Sequence, residues 1–189
     1  MADSDLCLAA EVKMFLELNE KEVDIENDMI DKLITNRTSE IHNYCNVEQF
    51  KSKEYVEYIN GSGTQLLYPR YTPIISVSSI YNTTTYDYDS TSLIDSDDYF
   101  IANDFHIILP DSYFYHGKSN IKITYNAGYS VIPGDLNQAC INEVIMLFKQ
   151  LSDTALHMTS AGERGGYRDI ELLPSTISVL EKKYMRAGA

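Results

Sequence analysis

Four histidines, three cysteines and 28 carboxylates are the side chains of this chain with chemistry to offer, and spacing decides what they can do. His42, His106, His116 and His157 stand apart from one another at no metal-ligand spacing, and none accompanies a nucleophile motif. His106 falls within an alternating strand pattern, which makes it a polar, half-buried partner. Cys7, Cys45 and Cys140 are odd in number, far apart and without a CxxC pair, so zinc and thioredoxin-like chemistry lack their framework. Reduced thiols used as small apolar residues are the expectation. Gly61-Ser-Gly63 has neither the lysine nor the following helix of a phosphate loop and reads as a turn. Asp95, Asp97 and Asp98 are of the type that binds calcium, but the central glycine and distal glutamate of an EF-hand loop are missing. With Asp87 and Asp89 they read as a solvated loop. The sequence therefore predicts no catalytic residue, no metal and no cofactor.

Two segments carry a different kind of residue. Gly162-Glu-Arg-Gly-Gly-Tyr-Arg-Asp169 is glycine-rich and reads either as a mobile connector between helices or as a segment that orders against a neighbour, with Arg164, Tyr167 and Arg168 as its anchors. Leu180-Glu-Lys-Lys-Tyr-Met-Arg186 reads either as a frayed terminal helix or as an amphipathic plug for a partner's groove.

The elements that must position these residues follow from periodicity. Leu8, Val12, Phe15 and Leu16 share one face of a first helix, with Ser4 available to cap it. A second helix carries Ile25, Met29, Ile30, Leu33, Ile34, Ile41, Tyr44 and Cys45, with Asp24, Glu26 and Asp28 in its first turn. From about Lys53 the chain turns strand-like. Tyr55–Ile59 and Gln65–Tyr68 flank Asn60-Gly-Ser-Gly and are expected to form a hairpin. Pro73–Tyr81, Tyr99–Ala102, Phe105–Leu109 and Asn120–Tyr125 add further strands, and Asn82–Asp98 is an exposed hairpin tip or loop. Ile121, Ile123 and Tyr125 alternate with Lys122 and Thr124, Gly128 bends the chain, and Pro133 opens a helix striped by Leu136, Cys140, Val144, Leu147 and Leu151. Pro174 opens a last short helix. The order argues for an α+β fold, a small helical bundle with an inserted antiparallel β region. Residues 1–52 hold the first helices, 53–131 the β insertion, and 132–189 the closing helices and tail, in one compact domain.

The net charge is −13, and half of the 28 acids lie in residues 1–60. So acidic a chain is a poor sequence-reader of DNA, although it can surround DNA without gripping it. The acidic start is unlike a secretory leader, and no apolar run is long enough to cross a membrane. Most of the 15 tyrosines lie in the middle region, where they suit a sheet with one wet face or a protein interface.

In this order the motifs resemble the head-tail connector (adaptor, head completion) proteins of tailed bacteriophages. The matching residues are Glu11-Val-Lys13 and Leu16, then Ile30, Leu33 and Ile34, then Tyr55–Gly63 and Pro73–Val77, then Asp98-Tyr99. The strongest is Ile121–Tyr129 with Ile132-Pro133, Asp135-Leu136 and Ala139, and Leu173-Pro174 with Leu180–Arg186 closes the set. The resemblance implies a structural virion neck protein, not an enzyme. Its copies would form a ring, typically twelvefold, beneath the portal protein, extending the channel for genomic double-stranded DNA and receiving a downstream neck or tail completion protein. It would assemble in the host cytoplasm with no membrane partner. By the same analogy Leu180, Lys182, Lys183, Tyr184 and Arg186 are candidates for portal docking. Arg164, Tyr167, Arg168, Tyr86 and Tyr88 are candidates for ring contacts, and Asp24, Glu26 and Asp28 for a DNA-repelling lumen. The stretch Ser79–Ser96 is longer than in shorter members of the family. The alternative is a tyrosine-rich β module that binds glycan or calcium at a virion or cell surface.

Overall fold

The computed structural model describes residues 5–16, 23–161 and 171–184, with side chains 23–27 and 152–161 left out. Its elements run α1 (Ala9–Leu16), α2 (Val23–Tyr44), β1 (Lys53–Gly61), β2 (Leu66–Leu67), β3 (Ile74–Asn82), β4 (Phe100–Ala102), β5 (His106–Ile108), β6 (Gly117–Ala127), α3 (Gly134–Ala161) and α4 (Pro174–Lys183). The fold is α+β. Two compact units are present: Met1–Phe50 with Ile132–Ala189, and Lys51–Val131.

In the helical unit α1, α2 and α4 all pack on α3. The stripe Leu136, Cys140, Val144 is fully buried, and so are Ile30, Ile34 and Ile41 of α2 and Cys45 just after it. Each such side chain removed from water contributes roughly 1.5–3 kcal/mol, which is what holds short helices that would not persist alone. At the start of α1, the Leu8 N–H donates to Glu11 Oε2 at 2.8 Å, one half of a capping box. Asn137 of α3 donates to that same oxygen and to the Leu6 carbonyl, each at 3.1 Å, and so ties the segment to α3.

In the β unit β6 is the centre of a three-stranded antiparallel sheet, order β1-β6-β3. Ile121, Ile123, Tyr125 and Ala127 are fully buried, as the period-two pattern requires. A second small sheet has the order β2-β5-β4. Its Leu67 and Ile107 join Tyr55, Ile80, Phe114 and the β6 residues in one core.

The expected hairpin between Tyr55–Ile59 and Gln65–Tyr68 does not form: β1 pairs with β6, and β2 pairs with β5 of the other sheet. The glycine serves a close approach instead of a reversal. A Cβ on Gly61 would lie 1.8 Å from the Tyr115 carbonyl oxygen, and the Gly61 N–H donates to Asn120 Oδ1 at 2.9 Å. The register slips between Ile59 and Gly61, a bulge that sends the chain away from the first sheet. Gly128 does bend the chain, at φ 109°, and its N–H donates to the Pro73 carbonyl at 2.9 Å.

Residues 83–95 are strapped down. The Asn82 N–H donates to the Ser92 carbonyl and the Ile94 N–H to the Ile80 carbonyl, at 2.8 and 2.9 Å. Asn120 is the hub beneath. It is buried, its Nδ2 donates to the Tyr115 carbonyl, and its own carbonyl accepts from Thr83.

Candidate functional site

The closing helix is pinned at both ends by acids of α3. Leu173, the residue before α4, has no capping side chain of its own. Glu143, fully buried, supplies the missing group: its Oε1 accepts from the Leu173 N–H at 2.7 Å, where a carboxylate also suits the positive end of the helix. At the other end Asp135 accepts from Lys183 Nζ and from the Tyr184 hydroxyl, both at 2.5 Å. Lys183, and then Tyr184, hold the Asp135 carboxyl below its ordinary value. The Tyr184 ring stands edge-on to Phe50 at 5.7 Å, and Phe50 in turn meets His42 at 5.4 Å.

This placement sorts the docking candidates. Leu180 is fully buried and is a core residue of its own unit. Lys183 and Tyr184 are engaged with Asp135. Lys182 is exposed, and Arg186 lies outside the described residues.

Of the ring candidates, Tyr86 is exposed at the tip of the strap, with φ 67°. Tyr88 is half-buried and faces inward. Its hydroxyl donates to the Ser119 carbonyl at 2.5 Å, and its ring meets Tyr58 edge-on at 5.4 Å. Lys122 Nζ lies 5.6 Å from the centre of the Tyr81 ring and 5.9 Å from that of Tyr88. Burial, with Tyr58 and Tyr86 nearby, raises the Tyr88 phenol. Tyr58, Lys122 and Tyr81 are cross-strand partners, so this cation–aromatic cluster knits the strap to the outer face of the first sheet. Arg164, Tyr167 and Arg168 lie outside the described residues.

Of the lumen candidates, Asp28 is exposed, and Asp24 and Glu26 lie in the first turn of α2.

Sequence reasoning missed the outward faces of the sheets. Val56 and Tyr58 of β1 and Ile75 of β3 are about half exposed on the first sheet's edge strands. On the second sheet Phe100, Ile108 and Leu66 form a cross-strand row, beside the Tyr68 and His106 rings at 5.4 Å. Strict alternation within β1 would have marked Val56 and Tyr58 as outward once Tyr55 was set inward; the short second sheet left no such signal. On α1, Met14 and Phe15 are also exposed. Among the described residues no group of three metal-ligating side chains converges, and no helix is long and apolar enough to cross a membrane. The surfaces offered are broad, aromatic and apolar.

A family model described as head completion protein matches residues 5–186. Comparison with curated proteins finds no relative by sequence. Among solved structures, a chain in the neck of an empty gene transfer agent particle, computed with C6 symmetry, is similar with a TM-score of 0.61 at 11% identity. It covers 100% of this chain and 95% of its own. A chain from the neck of the native particle, computed with C12 symmetry, gives 0.55 at 10% identity over 85% and 84%. A chain from the virion of the native particle gives 0.57 at 12% identity over 100% and 94%.

Proposed function

The chain belongs to the head completion protein family, and from that premise we propose that it is a structural neck protein of the virion, a head-tail adaptor. Its copies close into a ring beneath the portal, prolong the DNA channel and receive the next neck or tail completion protein. The observation that carries the reading is the family match, which spans both units of the chain. The similar chains from gene transfer agent necks agree in fold, and a ring of twelve satisfies both the C6 and the C12 symmetry used for them.

The work of such a protein is geometric. A ring needs heterologous contacts, one surface of each copy meeting a different surface of the next. The outward aromatic rows of the β unit and Tyr86 supply such a surface, with the side-chain types that dominate interface energy. Exposed Lys182, with Arg186 beyond it, is the part of the closing segment left for the portal. A net charge of −13 suits a channel that lets phosphate slide past, with Asp24, Glu26 and Asp28 the lumen candidates. This is a reading without bond-making chemistry.

Mixing the purified protein with portal-bearing capsids and imaging by electron microscopy tests it. Ring density of fixed copy number at the portal vertex is expected. Bare portals at saturating protein would end the proposal.

A further inference from the structure

Cys7 and Cys140 are 133 positions apart in sequence, yet their Sγ atoms lie 3.4 Å from one another and share a hydrogen bond. Both thiols are free and buried, and Thr38 Oγ1 stands 3.9 Å from the Cys140 sulfur. The surroundings hold them there. The Leu6 N–H donates to Thr38 Oγ1 at 3.2 Å, and Asn137 grips the Leu6 carbonyl, so the residues flanking both cysteines are fixed on α2 and α3. Cys45, equally buried, has no such sulfur neighbour in the hydrogen bonds of the described residues.

We propose that Cys7 and Cys140 are a redox pair, a modification site at which the folded protein closes a disulfide between the segment before α1 and α3. The sulfurs need only approach by a little over an ångström to reach bonding distance. With oxidised glutathione as the oxidant, the first cysteine sulfur attacks the disulfide and releases one glutathione thiolate. The second cysteine then attacks the protein-bound sulfur and releases the other. Two protein thiols lose two protons and two electrons, and one disulfide becomes two thiols. The shared hydrogen bond, burial, and the carboxylates of Glu11 and Asp5 all raise the Cys7 thiol, so it stays protonated and inert while packed. Closure therefore waits on a brief opening of the segment Asp5–Leu8, and once made it clamps that segment shut. In a reducing medium the pair is two packed thiols; in an oxidising one it is a staple across the helical unit.

The test uses the full chain. Native protein is incubated with oxidised glutathione, quenched with an alkylating agent, and followed by intact mass and peptide mapping. The expected result is a loss of two hydrogens, a peptide linking Cys7 to Cys140, an alkylated Cys45, and a melting temperature raised by several degrees that a thiol reductant reverses. Cys45→Ala should behave as wild type, whereas Cys7→Ser should lose the rise. Linkage through Cys45, glutathione adducts without a cross-link, or a lowered melting temperature on closure would each overturn the proposal. Because the readout is on wild-type protein, a variant that fails to fold does not obscure the outcome.

Discussion

His42, buried and neutral, makes the helical unit acid-sensitive. Its ring is buried on α2 against Phe50, and its Nε2 has no hydrogen-bond partner among the described residues. Burial lowers its pKa from 6.5 to about 4. The unfolded imidazole takes up a proton near pH 6.5, whereas the folded one refuses it until about 4. Unfolding therefore binds a proton across this window, and stability falls as the pH falls. Stability contributed by neutral His42 is fully present above pH 6.5. At 1.36 kcal/mol per unit, the loss reaches about 2 kcal/mol at pH 5 and about 3 kcal/mol at pH 4. The depressed carboxyl of Asp135 contributes in the same direction, but its share is lost only below the ordinary carboxylate range. Replacing His42 with Phe keeps a ring against Phe50 and removes the titration. Urea unfolding followed by far-ultraviolet circular dichroism, at half-unit steps from pH 7 to 4, reads the effect. The wild-type midpoint should fall steadily below pH 6.5, and that of His42→Phe should stay nearly level down to about pH 4.5. Parallel losses in the two proteins would refute the reasoning.

Other consequences can be measured in the same way. Asn120→Ala strands the Gly61 N–H and the Tyr115 carbonyl, at about 1–3 kcal/mol for each unsatisfied group, and thermal melts should show the loss. Gly61→Ala forces its methyl into the Tyr115 carbonyl oxygen and should yield little folded protein; normal expression and melting would contradict the close approach. Glu143→Ala leaves the Leu173 N–H without its acceptor and should speed amide exchange through the first turn of α4, with Glu143→Gln restoring most of the protection. Asp135→Asn weakens a partly exposed contact, so it should cost only about 1 kcal/mol while loosening Tyr184, visible as faster exchange at the end of α4.

Local pattern announced the local structure well. Ile121, Ile123 and Tyr125 alternate and are buried as a strand; Leu136, Cys140 and Val144 recur every four residues and are buried as a helix. The connector resemblance rests on this same run, and the family match agrees with it. Partner choice was not legible. The turn signal at Asn60–Gly63 looks the same whether the next strand folds back or leaves, and β1 found its partner at β6, some sixty residues on. The approach of Cys7 to Cys140, Glu143 to Leu173 and Tyr88 to Ser119 is likewise long-range and leaves no periodicity to read. Leu180 shows the same limit in a helix. Its helical spacing was correct, but an apolar face reads the same whether it waits for a partner or meets α3.

The β unit begins and ends at one doorway. The Ser52 N–H donates to the Tyr129 carbonyl at 3.0 Å, and Lys51 bridges to Tyr129 alongside it. A loop of nearly eighty residues thus returns to its own origin, like a cartridge seated on two adjacent pins. Such an insert can lengthen, or acquire a strap like residues 83–95, while its two ends stay paired. Diversity among relatives should accumulate inside the doorway, leaving the helical frame to evolve at its own pace.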